Sequence, residues 1–314
     1  DLIADGNSVI LVDHDTQILK EADWIVEMGP EAGAKGGHVI AQGTIPAIEA
    51  DPASQIGPFL SGKADTLRRK RALADALFAQ GTLHLSTAQL HTVKPLEADL
   101  PKGRLTVVTG VSGSGKTTLV LESLVPALEA RIDGKTLPPH VRALDAEGIA
   151  HVKLIDATPI GINVRSTVAT YAGVHDDLRR LFARSPDAKA HGYKAGDFSY
   201  NTGSLRCPGC DGTGEVSLDV QFLPDVNIPC PDCRGSRYAK EANLVKHTDK
   251  RGVSHSLPEF MDMDINTALE NCRDMKIVSQ RLQVLRDLGL GYLTLGEETP
   301  SLSGGEAQRL KLAS

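Results

Sequence analysis

A glycine-rich loop near the middle of the chain has the residue types and spacing of a phosphate-binding site. The stretch "VTGVSGSGKTTL" fits the pattern G-x-x-x-x-G-K-T. Glycines let backbone N–H groups curl around phosphate oxygens, while the lysine meets the β and γ phosphates and the threonine hydroxyl reaches Mg²⁺. The pattern predicts ATP and Mg²⁺ binding by Gly110, Ser112, Gly113, Ser114, Gly115, Lys116, Thr117 and Thr118.

Four of the five cysteines form two C-x-x-C pairs: Cys207 with Cys210, and Cys230 with Cys233. Between the pairs, apolar and polar residues alternate from Val216 to Phe222 before a Leu-Pro-Asp turn, which predicts a hairpin that brings the pairs together. Four soft ligands with no fifth suit a structural Zn²⁺ that is closed to substrate. A redox dithiol and an iron–sulfur site are the alternatives. We interpret Cys272 as an inert, packed thiol.

The stretch "SLSGGEAQRLKLAS" predicts a helix whose first turn is open to a ligand. Ser303 can cap the helix, and Glu306 can reach back to complete a capping box. Gly304 and Gly305 leave the first backbone N–H groups bare, and such a helix start attracts phosphate. An ordinary capped surface helix is the alternative, which S-x-x-E alone would favour.

His14 follows four apolar residues in "NSVILVDHD", which we interpret as a strand, with a helix-like stretch "TQILKEADWIVEMG" after it. A side chain at the end of a parallel strand lies beside a ligand crevice. A structural histidine is the alternative. Beside a phosphate-binding loop and a glycine-capped helix, His14 becomes a candidate for sensing the γ-phosphate.

The composition is that of a folded α/β protein large enough for two domains, with 314 residues, 41% hydrophobic and 24% charged. No uninterrupted apolar run is long enough to span a bilayer, and the first residues carry acids where a secretory signal needs basic residues. We therefore expect a cytoplasmic protein without a membrane partner. The net charge of −6 excludes a protein that is basic all over, but a local basic groove for nucleic acid stays possible.

Changes in composition divide the chain into five segments. We interpret residues 1–60 as the closing edge of an α/β domain and 61–80, which is basic and helix-favouring, as a connection. Residues 81–160 give strand, loop and helix in the order of a nucleotide-binding core. Residues 161–300 hold the cysteine pairs and "VSQRLQVLRDLGLGYLTLG", whose apolar residues fall at helical spacing. Residues 301–314 start the last helix.

Together these motifs resemble the ABC ATPases, and the cysteine pairs narrow the likeness to the UvrA family. The resemblance runs through "VDHD", "GPEAGAKGGHVIAQGT", "VTGVSGSGKTTL", "PIG", "ATYAGV", "CPGCDGTG", "FLPD", "CPDCRGSRY", "LGLGYLTLG" and "LSGGEAQRLKLAS". It implies an α/β fold: an ABC-type ATPase domain with an inserted zinc-binding signature subdomain, preceded by the tail of a first ABC domain. It further implies ATP-dependent recognition of DNA damage in bacterial nucleotide excision repair. The implied partners are double-stranded DNA, a UvrB-type helicase and a second copy of the protein.

The resemblance also implies how the candidate residues divide between two ATP sites. In such ATPases each site joins the P-loop and switch histidine of one domain to the signature of the other. Ser303, Gly304 and Gly305 would therefore complete the site that His14 serves, whereas Lys116 belongs to the second site. The remaining parts of both sites are expected elsewhere in a longer protein, so the chain alone is not expected to turn over ATP.

Three departures from the UvrA pattern stand out. Ala157 lies where UvrA proteins usually have a glutamine ahead of Pro-Ile-Gly. The side chain that would lie beside the metal and position the attacking water is therefore missing or moved. The following "INVRST" holds only Arg165, and "GSLRC" replaces the usual glycine pair before Cys207. These changes favour a divergent member, such as the shorter UvrA-like paralogues associated with tolerance of DNA-binding drugs.

A local excess of positive charge supports DNA binding. Residues 151–210 hold eight Lys or Arg against five Asp. We expect contacts with the duplex backbone, with DNA deformability marking a lesion. The candidate contacts are Arg179, Arg180, Arg184, Lys189, Lys194 and Arg206. A solvated charged face is the alternative.

Two other classes of protein share single features with the chain. "CPGCDGTG" also resembles the cysteine-rich repeats of DnaJ chaperones, but only two repeats are present and that family has no P-loop. An ABC domain that energises a transporter would have a P-loop, but transporter ATPases lack a zinc insertion between P-loop and signature. Salt-dependent DNA binding would separate a DNA-damage recognition protein from both the chaperone and the transporter ATPase.

Overall fold

The computed structural model describes residues 2–65, 68–156, 158, 160, 163–218 and 226–313. The chain divides into two compact units, one made of Asp1–Asp65 with Ile155–Ser314 and the other of Thr66–Leu154. Both contain helices and strands, so the fold is mixed α/β. Within the described ranges, no helix has the length and apolar character needed to cross a membrane. The functional domain limits expected from the sequence stay predictions.

The N-terminal part of the first unit is built around a hairpin. Its elements are α1 (Thr16–Leu19), β1 (Ile25–Gly29), β2 (His38–Gly43), α2 (Ile45–Ala50) and α3 (Gly57–Leu60). Strands β1 and β2 are antiparallel. Ile25, Ala41, Ile48 and Leu60 form a small core. The Glu27 carboxylate accepts hydrogen bonds from backbone N–H groups just before α3, which fastens that helix to β1.

The expected strand ending at His14 is wrong. Residues 7–15 form no strand, and Ile10 and Val12 are 93% and 97% exposed. Such a run forms a strand only where a neighbouring strand takes up its backbone hydrogen bonds and where other elements cover its two faces. Within the described ranges, none of the strands pairs with residues 7–15. The helix expected over residues 16–29 is also wrong beyond Leu19, because buried Ile25 and exposed Val26 begin the alternation of β1.

The second unit contains a three-stranded antiparallel sheet in the order β4-β3-β5. The strands are β3 (Thr82–Thr87), β4 (Leu96–Pro101) and β5 (Val141–Asp145). A π-helical segment, Thr118–Leu124, runs into α4 (Val125–Ile132). Ala127 and Leu128 of α4 pack on the sheet residues Leu83, Leu85 and Val141. This contact forms the core of the unit.

The strand expected before the glycine-rich loop is also wrong. Residues 105–110 form no strand, and Leu105 and Val107 are 74% and 75% exposed. The reason is again the lack of pairing, since none of the described strands forms a ladder with this segment. The helix expected after the loop is present, but it is π-helical before it becomes α-helical at Val125. In the basic connection, the described residues contain a helix only at Ala74–Ala76.

The larger core of the first unit is mostly helical. Its elements are α5 (Val168–Tyr171), α6 (Val174–Phe182), α7 (Pro186–His191), β6 (Glu215–Leu218), β7 (Val226–Pro229), β8 (Lys246–Thr248), β9 (Ser254–Ser256), α8 (Leu257–Asp262), α9 (Ile265–Asn271), α10 (Lys276–Asp287) and α11 (Gly304–Ala313). Phe182 lies at its centre, with ring centroids of Phe198 and Phe260 at 6.2 and 6.1 Å. The helical spacing read from the sequence is confirmed in α10, whose buried residues are Val278, Leu282 and Leu285.

The hairpin expected between the two cysteine pairs is confirmed. Strands β6 and β7 are antiparallel, with Glu215 opposite Pro229 and Val216 opposite Ile228. Val220, Phe222 and the Leu-Pro-Asp turn lie outside the described residues. The pairing fixes the two ends of the hairpin side by side, next to Cys210 and Cys230.

Phe182→Ala is expected to lower the free energy of unfolding of the first unit by about 3–5 kcal/mol, because it removes a fully buried ring from the helical core. Phe59→Ala is the matched control, since Phe59 is 41% exposed and its loss should cost less than about 1 kcal/mol. Urea unfolding followed by the near-ultraviolet circular dichroism of tyrosine measures this core, because all 5 tyrosines lie between residues 171 and 292. Equal losses in the two variants would contradict the packing.

Candidate functional site

The four paired cysteines converge on one point. All four sulfur atoms lie within 4.8 Å of one another, with Cys207 Sγ 4.0 Å from Cys230 Sγ and Cys210 Sγ 3.6 Å from Cys233 Sγ. A tetrahedral Zn²⁺ with bonds of about 2.3 Å places its sulfur ligands about 3.8 Å apart. The cluster therefore has the spacing that one zinc ion requires. All four thiols are free of disulfides.

A buried arginine joins the cysteine cluster to two distant segments. Arg237 has a side chain that is only 5% exposed, and its guanidinium lies 2.7 Å from the Glu298 carboxylate. It also donates to the backbone oxygen of Val164 at 3.0 Å and lies over the Tyr200 ring. Its own backbone oxygen accepts a hydrogen bond from the N–H of Cys207. The cluster is thereby tied to the segment that leads into α11.

The capping box expected at the start of α11 is confirmed. The Ser303 N–H donates to Glu306 Oε2 at 2.7 Å, and the Glu306 N–H donates to Ser303 Oγ at 3.4 Å. Tyr292 donates its hydroxyl to the other oxygen of Glu306. Burial and this acceptor raise the pKa of Tyr292 to about 12. A Cβ atom added to Gly304 or Gly305 would meet nothing within 4 Å, so the first turn of α11 faces open space.

The opposite end of α11 is anchored to the point where the chain returns from the second unit. Lys311 Nζ forms an ion pair with Asp156 and donates to the backbone oxygens of Asp156 and Thr158, at 3.0 and 2.6 Å. The bond from Lys311, and then the one from the Thr158 hydroxyl, lower the pKa of Asp156 to about 2. The pair therefore stays charged at neutral pH. Ala157, at the position where the resemblance implies a glutamine, lies outside the described residues.

The glycine-rich loop is curled over its own lysine. Lys116 Nζ donates to the backbone oxygens of Gly110 and Val111, both at 2.8 Å. Gly115 has a φ of +88°, and a Cβ there would lie 2.3 Å from Val93, so only glycine fits. Ser112, Gly113 and Ser114 are exposed, whereas Thr118 donates to Glu122 at 3.0 Å. The binding of nucleotide and Mg²⁺ by this loop stays a prediction.

The structure does not bring His14 to the first turn of α11. His14 is exposed, and its backbone N–H donates to the Asp13 carboxylate at 2.7 Å. In the part of the chain that is described, no hydrogen bond or ion pair joins His14 to Ser303. The proposed γ-phosphate sensor therefore stays a prediction from the sequence.

The six candidate DNA contacts fall into two groups. Three have an acidic partner: Arg179 with Asp176, Arg180 with Asp177, and Arg206 with Asp211. Arg184, Lys189 and Lys194 are exposed and have no ion pair among the described residues. A phosphate competes with a carboxylate for the first group but not for the second. The second group is therefore better suited to contact a nucleic-acid backbone.

Comparisons of the chain with known proteins lead to the same family as the sequence motifs do. No family model matches the chain. It is 42% identical to UvrABC system protein A of Thermus thermophilus over 313 residues, which are 98% of the chain and 32% of that protein. The corresponding protein of Escherichia coli K12 is 40% identical over 312 residues. The crystal structure of UvrA2 from Deinococcus radiodurans superposes with a TM-score of 0.82 at 39% identity, covering 96% of the chain and 35% of that structure. The chain thus spans about a third of the length of these relatives.

Sequence reasoning missed Arg237, Tyr292 and Lys311. Each makes its decisive contact with a residue distant in sequence, 61 positions away for Arg237 and 155 for Lys311. Their signal was a polar residue inside a quoted motif, namely "CRGSRY", "LGLGYLTLG" and "RLKLAS". None of the three could be assigned a partner from spacing alone.

Cys230→Ser is expected to remove bound zinc, because three sulfur ligands and a hydroxyl hold Zn²⁺ much more weakly than four thiolates do. Cys272→Ala is the matched control, since Cys272 is a buried thiol outside the cluster. Elemental analysis of the purified chain should give about one zinc for the parent and for the control. Full zinc content in Cys230→Ser would refute the ligand set.

Proposed function

We propose that this chain, which belongs to the UvrA family, takes part in ATP-controlled recognition of damaged DNA during nucleotide excision repair. The observation that carries the proposal is the continuous similarity over 98% of the chain to UvrABC system protein A. The clustered cysteines and the exposed capping box add support, because the geometry of each suits the role proposed for it. ATP, Mg²⁺ and Zn²⁺ are its proposed cofactors.

The chain would supply parts of two different ATP sites. In one, Lys116 and Thr117 would hold the nucleotide phosphates and Mg²⁺ at the curled loop. In the other, the first turn of α11 would present backbone N–H groups and the Ser303 hydroxyl to the phosphates of a nucleotide held by another domain. His14 would belong to the same ATP site as Ser303. The open space around Gly304 and Gly305 supports this role, since close approach of a ligand requires it.

The four cysteines would hold Zn²⁺ as a structural ion. When bound, the ion supplies cross-linking of the two turns that flank the β6–β7 hairpin. The ion pair of Arg237 with Glu298 would then link those turns to the segment that leads into α11. Ser303 lies five positions after Glu298 in that segment. No reactive position is needed at the metal, because its four ligands complete a tetrahedron.

DNA engagement would use the exposed cations of the helical insertion. Arg184, Lys189 and Lys194 lie on or beside α6 and α7 without acidic partners among the described residues, which suits contact with phosphates rather than bases. Such contacts carry little sequence information, so lesion recognition would depend on how readily the duplex deforms. A homodimer and a UvrB-type helicase partner belong to the same proposal.

Protection against DNA-binding drugs is the second candidate function. Ala157 stands where UvrA proteins usually have a glutamine before the Pro-Ile-Gly sequence, and the superposed crystal structure is that of UvrA2. Both observations fit a divergent member of the family. The machinery proposed above would be shared, and only the biological task would differ.

The isolated chain is expected to show no ATP turnover, because hydrolysis needs loop, metal carboxylate, water-positioning group and opposing signature in one closed site. In the longer protein, Lys116→Ala and Ser303→Arg should each impair one ATP site, and a different one. Lys135→Ala is the control for charge removal, since Lys135 pairs with Asp133 on the surface. Nucleotide occupancy of each site tests the division. Loss of the same site in both variants would contradict it.

DNA binding is expected to weaken linearly on a plot of log affinity against log salt. Replacing Arg184, Lys189 and Lys194 together by Gln should flatten the slope by about 3, since each phosphate contact contributes about 0.9. Replacing Arg179 and Arg180 by Gln is the control, because their charges are already paired. Titrating a labelled duplex at several salt concentrations measures the slope. A larger change of the slope in the Arg179 and Arg180 variant would place the DNA-binding surface on α6 instead.

A further inference from the structure

Four consecutive cations lie in the connection that begins the second unit: Arg68, Arg69, Lys70 and Arg71. We call these four residues the basic run. All four are exposed, and residues 68–73 belong to no helix or strand. Among the described residues, none of the four has an ion pair, a side-chain hydrogen bond or a ring contact. The described fold therefore leaves these four charges open to an external anion.

Several other cations of the second unit are engaged by the protein itself. Lys102 Nζ donates to the backbone oxygen of Glu147 at 2.6 Å, and Lys135 Nζ lies 2.8 Å from the Asp133 carboxylate. An external anion must compete with such partners, whereas the basic run has none in the part of the chain that is described. Its charges are also concentrated in one short segment of a chain whose net charge is −6. Such a local concentration of charge attracts a polyanion.

The connection is fastened to the second unit shortly after the basic run. The Arg104 guanidinium donates to the backbone oxygen of Ala76 at 2.8 Å, and the Lys102 N–H donates to the backbone oxygen of Gly81 at 3.0 Å. Ala76 lies five positions after Arg71, so the run ends within about 18 Å of an anchored residue. An anion bound by the run is therefore held close to a folded unit.

The composition and length of the basic run suit a nucleic-acid backbone. Three of its four residues are arginines, whose planar guanidinium can bind a phosphate through two parallel hydrogen bonds. Four extended residues reach about 13–14 Å, over which one strand of B-DNA presents about four phosphates. A segment that binds a lipid surface is typically an amphipathic helix, whereas the described residues between the run and β3 form only the short helical turn Ala74–Ala76. These observations favour nucleic acid over a membrane.

We propose that the basic run is a second contact for the phosphates of duplex DNA, separate in sequence from Arg184, Lys189 and Lys194. The run supplies charge without reading bases, because it lies on no helix or strand that could enter a groove. The inference rests on the DNA binding proposed above. It adds a contact in the unit that holds Lys116.

Fluorescence anisotropy of a labelled duplex, titrated with the chain at several salt concentrations, tests the basic run. Arg68→Gln, Arg69→Gln, Lys70→Gln and Arg71→Gln together should flatten the slope of log affinity against log salt by about 3–4, since each phosphate contact contributes about 0.9. Replacing the three arginines by Lys keeps the charges and should change the slope by less than about 1. Because the run is exposed, both variants should retain the far-ultraviolet circular dichroism of the parent chain.

A matched control removes four positive charges that are already paired with carboxylates on the surface. It replaces Lys35, Lys135, Lys246 and Arg251 by Gln. The slope of this control should change by less than about 1, because paired cations release few counterions when DNA binds. A change equal to that of the basic-run variant would show that overall charge sets the slope, and would overturn the inference.

The remaining outcomes separate the basic run from DNA binding in general. A slope change of less than about 1 in the Gln variant of the run, with salt-dependent binding by the parent, would overturn the inference alone. The contacts proposed for Arg184, Lys189 and Lys194 would then stand. No salt-dependent binding of the duplex by the parent would overturn both proposals. Tighter binding of phosphatidylserine vesicles or polyglutamate than of the duplex, lost in the Gln variant, would assign the run to a lipid or protein partner and overturn the inference.

Discussion

The buried guanidinium of Arg237 is the interaction on which the arrangement of the larger unit depends. Moving an arginine out of water is costly unless a carboxylate and further acceptors replace its hydration. Here Glu298 and the backbone oxygen of Val164 provide that replacement, and the Tyr200 ring covers one face. Because the three partners come from distant parts of the sequence, none of those segments can move away without leaving a buried charge exposed to an apolar surrounding.

This constraint places the two candidate sites of the unit in one framework. The backbone of Arg237 holds the turn at Cys207, and its side chain holds the segment before α11. The sulfur cluster and the exposed first turn of α11 are therefore positioned by the same residue. A metal held by the four cysteines would stiffen the two cysteine turns and, through Arg237, the segment that leads to Ser303.

Local features were predictable from the sequence, and features that need a distant partner were not. The capping box joins residues three positions apart, and the cysteine hairpin pairs two strands that follow one another along the chain, and both are present as expected. The apolar runs at residues 7–15 and 105–110 predicted strands, but a strand also needs a neighbouring backbone, about which a single run carries no information. Arg237 and Lys311 were missed for the same reason, since their acidic partners are far away in sequence.

Gly304 and Gly305 separate what the fold requires from what a ligand requires. The space around each would accept a side chain without touching any other part of the protein, so folding places no limit on their size. A ligand that docked on the first turn of α11 would place such a limit, because each added atom would stand between it and the backbone. A collection of variants sorted for folding alone should diversify at both positions, whereas one sorted for docking should keep them small. Comparing the two collections would therefore show whether a ligand approaches the backbone at these two positions.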